Sequence, residues 1–376
     1  MRTLEGRCIV LGVTGSIAAV ETVRLIHALR RRGAEVQPVM SPAAMGIVHP
    51  DALTYASGRE AITRCTGRVE HVMYCGEGGC ADLLLIAPCT ANTIGKIAAG
   101  IDDTPVTTFA TTALGHRMPF AIAPAMHGSM YAHPKVKENL RALELWGIDV
   151  IGPRIDEGRA KIADTETIVL HAERALLPKP LKGKRVLVTS GACMEAIDDV
   201  RVLTTRSTGQ MGRALALHAF RLGAEVTVVH SSRFPCVRNV YASSAMEMHR
   251  EVIRLMEEES FDIYASAAAI SDFIPLRREG KLPGDREVDI HLDPAPKLLR
   301  EVADRFHPII IAFKLGWNEM ARAGEMLRQG IRMVVVNTPY EMGAEGGEFA
   351  ILTEEGEERV HGTKEEVAAA IWQRLR

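Results

Sequence analysis

Residues 82–87, DLLLIA, set five apolar side chains in succession behind a single aspartate. A strand carries that pattern when both of its faces are buried, which calls for helices above and below it and therefore a parallel sheet. Neighbouring segments agree. Residues 7–12, RCIVLG, form a short β-branched run, followed by the glycine turn Val13-Thr14-Gly15-Ser16 and then by Val20, Val23, Ile26 and Leu29 at helical spacing. Further strands are expected at Glu35–Met40, Phe120–Ala123 and Asp149–Ile151. Strands alternating with helices predict an α/β fold with a doubly wound, mainly parallel sheet, Rossmann-like in plan.

The pattern breaks at LLPKPLKGK, where two prolines and three lysines make a stiff, solvated connector. The chain of 376 residues also exceeds what one hydrophobic core usually serves. The reading is therefore a first domain over residues 1–175, a linker at 176–184 and a second domain over 185–376. The second half restarts with a strand at Arg185–Thr189, a turn, a helix over Gly212–Leu222 ending at Gly223, and a strand at Glu225–Val229. Strands at Asp262–Ser266, Ile309–Phe313 and Met333–Asn337 fill out a second sheet. A closing amphipathic helix is expected over Thr363–Leu375, with Thr363 as N-cap and Glu366 at N3.

Composition excludes several classes of function. No stretch of eighteen uncharged apolar residues occurs and the N-terminus lacks the apolar core of a signal peptide, so the expectation is a cytoplasmic protein without membrane spans. The net charge of -2 supplies no basic field for nucleic acid, and three Trp, six Tyr and nine Phe leave little for base stacking. Seven scattered cysteines do not make a disulfide framework, and Cys75 and Cys80 have no second Cys/His pair nearby to complete a zinc site. Small anionic ligands fit better.

Two constellations suit such ligands in the first half. Gly12-Val13-Thr14-Gly15-Ser16 lies between a strand and a helix, where backbone amides and the helix dipole favour an anion. The spacing is not GxGxxG and no acidic residue ends the second strand, which favours a mononucleotide such as FMN over a dinucleotide. Pro88-Cys89-Thr90-Ala91-Asn92-Thr93 brings hydroxyls and an amide to the carboxyl edge of the sheet, and Thr107 and Thr108 are expected at the same edge. Read as residues alone, the loop can equally be a plain tight turn, Thr90 a helix cap and Asn92 a solvated side chain.

With GVTGSIA, VMSPAA (Val39–Ala44), His71 before the apolar strand, PCTANT and PAMHGSM (Pro124–Met130) in order, residues 7–170 resemble the flavin-binding decarboxylases that act on C-terminal cysteine groups. Within that family the likeness is to phosphopantothenoylcysteine decarboxylase. The resemblance implies a flavodoxin-like domain with FMN held by Gly15, Ser16, Ile17, Ser41, Thr90, Asn92, Thr93, Thr107, Thr108 and Met126. It also implies His71 as the catalytic histidine. FMN chemistry in the family oxidises the substrate thiol to a thioaldehyde, after which the adjacent carboxylate leaves as CO2. Two departures stand out. His127 occupies the place where the family has Asn after PAM, and the flap stretch Gly152–Asp164 contains no cysteine. Cys89 or His127 is then a candidate proton donor, and Arg159 or Lys161 a candidate clamp for a substrate phosphate.

The second half carries SGACMEAIDDVR (Ser190–Arg201), TTRSTGQMGRALA (Thr204–Ala216), ASAAAISDF (Ala265–Phe273), GKLP (Gly280–Pro283), AFK (Ala312–Lys314) and VVVN (Val334–Asn337). These resemble phosphopantothenate-cysteine ligases, in which CTP, or in some lineages ATP, activates the carboxylate of 4'-phosphopantothenate as an acyl nucleotide and cysteine displaces the monophosphate. The resemblance implies nucleotide and substrate contacts from Thr205, Arg206, Ser207, Thr208, Gly209, Ala269, Asp272, Phe313, Lys314 and Asn337. Lys281 would stabilise the developing acyl-phosphate charge, and Asp272 would face Mg2+ arriving with the triphosphate. Thr205 stands where the family has its acyl-intermediate asparagine, and one hydroxyl cannot reproduce an amide's paired contact. Arg206 beside it is a candidate fork for the pantothenate phosphate.

Domain order implies a fusion that ligates and then decarboxylates. The resemblance further implies a homo-oligomer, with trimeric flavin units and dimeric ligase units that combine as a dodecamer. Two other readings remain open: a flavin-binding regulatory or scaffold protein with an inactive decarboxylase half, and a nicotinamide-dependent reductase.

Overall fold

The computed structural model describes residues 1–156 and 159–375, which form two compact units, Met1–Pro178 and Lys179–Arg376. In the first unit, β1 (Cys8–Val13), β2 (Glu35–Met40), β3 (Leu83–Cys89), β4 (Phe120–Pro124) and β5 (Asp149–Val150) build a wholly parallel sheet in the order β2-β1-β3-β4-β5. That is the flavodoxin-like order, with its switch point between β1 and β3. Each expected strand of this half is present within a residue or two of its expected ends.

All seven residues of β3 are buried, as its unbroken apolar run requires. Alternate residues feed opposite cores. Leu83 and Leu85 pack with Leu25, Ile26 and Leu29 of the helix Thr22–Arg31 and with Ile168 and Ala172 of the helix Thr165–Leu176. Leu84 and Ile86 pack with Ile94, Phe109 and Leu143, from the helices Ala91–Ala99, Pro105–Gly115 and Pro134–Leu145 on the other face. A small antiparallel pair follows, β6 (Arg154–Asp156) with β7 (Arg159–Lys161). The expected phosphate clamp at Arg159 concerns a side chain outside the described part of the molecule.

The second unit centres on an eight-stranded sheet. Introduced in chain order, its strands and accessory strands are β8 (Arg185–Ser190), β9 (Met194–Ala196), β10 (Val202–Thr204), β11 (Glu225–His230), β12 (Arg238–Tyr241), β13 (Ile263–Ser266), β14 (Phe273–Pro275), β15 (Leu292–Pro294), β16 (Ile309–Leu315), β17 (Met333–Asn337), β18 (Gly346–Thr353) and β19 (Gly356–Thr363). The main sheet runs β12-β11-β8-β13-β16-β17-β18-β19, parallel through β17 and antiparallel in its last two pairings. β9 pairs with β10 and β14 with β15 as separate ribbons. The five strands expected here are present. The sequence reading did not anticipate β12, the β18–β19 hairpin or the two ribbons. Most of β19 is exposed and it reads GEERVHGT, so it carries no apolar alternation to announce it. Those charges also guard the sheet edge against pairing with another chain.

The chain closes with the helix Lys364–Gln373, N-capped by Thr363 in a capping box with Glu366. Val367, Ile371 and Trp372 are buried, and the Trp372 Nε1–H donates to the Leu215 carbonyl at 3.1 Å. Thr363→Ala removes one half of the box and is expected to cost about 1 kcal/mol. Hydrogen exchange over residues 364–373 should quicken accordingly, and unchanged exchange would contradict the capping role.

Candidate active sites

At the carboxyl edge of the first sheet, the turn after β1 meets the turn after β2. A Cβ at Gly15 would lie 2.5 Å from the Ala43 Cβ, so only glycine allows that approach. Thr14 ties this turn to the next one: its Oγ1 donates to the Pro88 carbonyl at 2.8 Å and accepts from the Thr90 amide at 3.0 Å. Thr90 in turn caps the helix Ala91–Ala99, accepting from the Thr93 amide at 3.2 Å. The result is a crevice of about 500 Å³ lined by Gly15, Ser16, Ser41, Thr90, Asn92 and Thr93, with Met126 and Lys96 also on its wall. Small residues, hydroxyls and a helix start make a cradle that suits a phosphate-bearing planar cofactor such as FMN.

A second, more apolar crevice of about 830 Å³ shares Ser16 and Met126 with the first and adds Ile17, His127, Arg154 and Lys161. The Ser129 amide donates to His127 Nδ1 at 3.3 Å. Since that nitrogen accepts, the neutral ring carries its proton on Nε2.

The remaining residues expected in this half are placed differently. Thr107 is buried and spends its hydroxyl in a capping box with Thr104, while Thr108 Oγ1 donates to the Thr104 carbonyl at 3.0 Å. Thr104, which the sequence reading did not single out, lines the smaller crevice instead. Cys89 is fully enclosed in β3, where burial pushes its thiol far above the ordinary range, so it cannot deliver a proton to either crevice. His71 lies on the helix Glu70–Cys75 and lines neither crevice. Its Nδ1 is enclosed and has no hydrogen-bond partner among the described residues, and its ring stands edge-on to Phe109, 6.4 Å between centroids.

In the second unit a crevice of about 570 Å³ opens at the carboxyl ends of β13, β16 and β17. Thr205, Ser207, Thr208 and Gly209 line one wall. Gly209, with φ 73°, starts the helix Gln210–Arg221 without a side-chain cap, which leaves its first amides open to an anion. Gly212 lets this helix close onto β8, since a Cβ there would sit 2.3 Å from Ser190 Oγ. Ala269, Asp272, Phe313, Lys314 and Asn337 line the rest. Asp272 accepts from Lys297 Nζ at 2.6 Å, and the described residues contain no group of three or more His, Cys, Asp or Glu able to hold a metal ion.

Arg206 and Lys281 are exposed and do not line this crevice. The loop bearing Lys281 is nonetheless pinned. Asp198, 3% exposed, accepts from the amides of Leu282, Val200 and Arg201 at 3.0, 2.7 and 2.6 Å and from Arg201 Nη1 at 2.8 Å. Arg201 also donates to the Leu282 carbonyl at 3.1 Å, and Asp199 accepts from the Gly280 amide at 2.9 Å and from Arg277. Nothing in the IDDVR motif singles out Asp198 for this role. A carboxylate three residues before an arginine was its only available signal.

Two doubly wound units, each with a nucleotide-sized crevice at its sheet edge, define an α/β protein of the flavoprotein class. Residues 1–176 match the family model described as Flavoprotein, and residues 181–376 match the one described as DNA/pantothenate metabolism flavoprotein C-terminal domain. The chain is 42% identical to the coenzyme A biosynthesis bifunctional protein CoaBC of Thermococcus kodakarensis, over 100% of this chain and 96% of that one. It is 34% identical to the protein of the same name from Methanocaldococcus jannaschii, over 100% and 94%. Among solved structures, the C-terminal domain of a coenzyme A biosynthesis bifunctional protein aligns at 28% identity over 52% of this chain and 96% of its own, with a TM-score of 0.43. A PPC decarboxylase mutant complexed with pantothenoylaminoethenethiol aligns at 26% identity over 45% and 97%, with a TM-score of 0.39. The chain belongs to the family of coenzyme A biosynthesis bifunctional proteins.

Hydrogen bonds, led by that from the Leu282 amide, hold the Asp198 carboxyl below the usual aspartate range. A depressed folded-state value adds stability that is complete above the unfolded aspartate value and is lost as pH falls toward the folded one. Denaturant unfolding of the full-length protein should therefore show a stability loss that sets in as pH falls through about 4 and continues below it, and Asp198→Asn should shrink that loss. An identical pH profile in the variant would exclude this latch as its source.

Proposed function

We propose that the second unit joins 4'-phosphopantothenate to cysteine at the expense of a nucleoside triphosphate, CTP first among the candidates, and that the first unit decarboxylates the product with FMN to give 4'-phosphopantetheine. The observation that carries this reading is the full-length likeness to coenzyme A biosynthesis bifunctional proteins, which spans both units. The crevice chemistry agrees with it. ATP is the competing triphosphate, and the assay below discriminates the two.

In the second unit the substrate carboxylate attacks the α-phosphorus, pyrophosphate leaves, and the cysteine amine then attacks the acyl carbon and expels the nucleoside monophosphate. Ser207, Thr208 and the open amides after Gly209 are suited to phosphate oxygens, and Lys314 adds positive charge to the same wall. Lys281 must come to the reacting group by movement of its loop, which Asp198 and Asp199 tether at Leu282 and Gly280. Mg2+ enters with the triphosphate.

In the first unit, FMN would supply the two-electron oxidant for the substrate thiol and, once reduced, would return the two electrons to the enethiol left when CO2 departs, so that no outside reductant is consumed. The chain's residues orient and protonate. The Gly15–Ser16 turn, Ser41, Thr90 and Asn92 would hold the cofactor, and His127, with its proton on Nε2, is a donor for the substrate carboxylate in place of the family's asparagine. His127 is also the better candidate proton donor, because Cys89 is sealed in the core. Since His71 lines neither crevice of its own unit, the trimer expected for the flavin units is the arrangement in which it would reach a neighbouring copy's site. The dimeric pairing of the second units and the dodecamer belong to the same proposal. A cytoplasmic location accords with seven free cysteines and a thiol substrate, which that compartment keeps reduced.

The test is incubation of the purified protein with phosphopantothenate, cysteine and Mg2+, with CTP or ATP in turn, following CMP or AMP release and then CO2. The protein should be yellow with bound FMN. His71→Asn should lower CO2 release by at least about a hundredfold and leave ligation intact, while Lys281→Ala should do the reverse when the decarboxylase is supplied with phosphopantothenoylcysteine. A yellow protein that releases no CO2 would leave the flavin-binding scaffold reading in place for the first unit.

A further inference from the structure

Lysine is almost never fully buried unless it is paired. Lys364 is 9% exposed, yet among the described residues its Nζ makes a single hydrogen bond, to the Glu341 carbonyl at 3.0 Å, and otherwise stands over the Phe349 ring, 4.5 Å from its centroid. The Glu341 carboxylate is engaged elsewhere, accepting from the Thr338 amide at 2.8 Å and hydroxyl at 2.5 Å. Lys364 is moreover the first residue of the closing helix, where the helix dipole opposes a cation. Burial holds its ammonium below the ordinary lysine value. Helix propensity, burial and dipole would all be better served by an apolar side chain of the same length.

The position explains the charge. Lys364 lines the 570 Å³ crevice of the second unit together with Glu341, Met342 and Gly343. The loop it bonds lies against the anion-accepting turn, for a Cβ on Gly343 would sit 3.7 Å from Thr208 Cγ2. Gly209 and the uncapped helix start follow directly. A buried ammonium with spare N–H donors and no ion pair among the described residues therefore shares one cavity with open backbone amides. The Glu341 carboxylate offsets that charge only in part and makes no ion pair with it among the described residues; a nucleobase would leave the remainder and the spare N–H donors unmet, whereas phosphoryl oxygens would satisfy both.

We propose that Lys364 binds the polyphosphate chain of the activating nucleotide, acting with the open helix start after Gly209. The inference rests on the reading of the second unit given above. It adds a binding residue some eighty positions beyond the GKLP loop, in a part of the chain to which no role has been given.

The experiment uses the full-length protein. Inorganic pyrophosphate is titrated calorimetrically into wild type and into Lys364→Met, an apolar side chain of similar length, and the KM for triphosphate and for cysteine is measured for both. Pyrophosphate should bind the variant at least tenfold more weakly. The KM for triphosphate should rise by a similar factor with the KM for cysteine unchanged, and the melting temperature should hold or increase. Lys364→Gln, which keeps donors but removes the charge, serves the same comparison if the methionine variant does not fold. Failure of wild type to bind pyrophosphate overturns the inference, as does equal binding by a folded variant. A lower melting temperature with unchanged pyrophosphate affinity would mean that Lys364 only braces the Glu341 loop. Ligation with unchanged binding in the variant sinks this inference alone. Lys364-dependent pyrophosphate binding without ligation by any triphosphate sinks the ligase reading and keeps the anion site.

Discussion

Burial of a central parallel strand on both faces is the constraint from which each unit follows. In the first unit β3 exposes no residue, so its backbone groups must bond to β1 and β4 and its side chains must meet helices above and below. Parallel neighbours need crossover connections, and those crossovers leave the sheet on opposite faces on either side of β1 and β3. A crevice opens at that divergence, at the carboxyl ends of the strands. The Gly15, Ser41 and Thr90 turns meet there for that reason. β8 has the place of β1 in the second sheet, flanked by β11 and β13, and the β9–β10 ribbon after it leads to the Gly209 helix start.

Polar groups around these edges divide into those that hold the backbone and those left for a ligand. Thr14, Thr107 and Asp198 are consumed by internal hydrogen bonds, and each fixes a loop that bears other candidate residues. The amides after Gly209 and the ammonium of Lys364 are enclosed or directed into a cavity with bonding capacity to spare. Unspent capacity in a buried group is costly unless something arrives to meet it. That contrast marks candidate binding groups more sharply than residue type does.

Much of this was legible in the chain. Unbroken apolar runs such as DLLLIA and RVLVT announced the buried strands, glycine turns announced the sheet edges, and Thr363 with Glu366 announced the last helix start. The hairpin β18–β19 was not legible, because an exposed edge strand has no core to impose an apolar period on it. Thr107 was read as a ligand contact from its motif, but a hydroxyl three residues from Thr104 is captured by a capping box before any ligand can use it.

The order of apolar runs and turns, which depends only on near neighbours along the chain, determined the two-unit α/β plan and the turns that border each crevice. Which side chains share a cavity was decided by the tertiary structure, because that depends on strand order and on contacts between distant segments. Lys364 lines the same crevice as Gly209 across more than 150 residues of sequence, and no local pattern encodes that placement. His71 and Cys89 make the same point in reverse: their motifs suggest chemistry, yet packing enclosed the thiol and set the imidazole outside both crevices of its own unit.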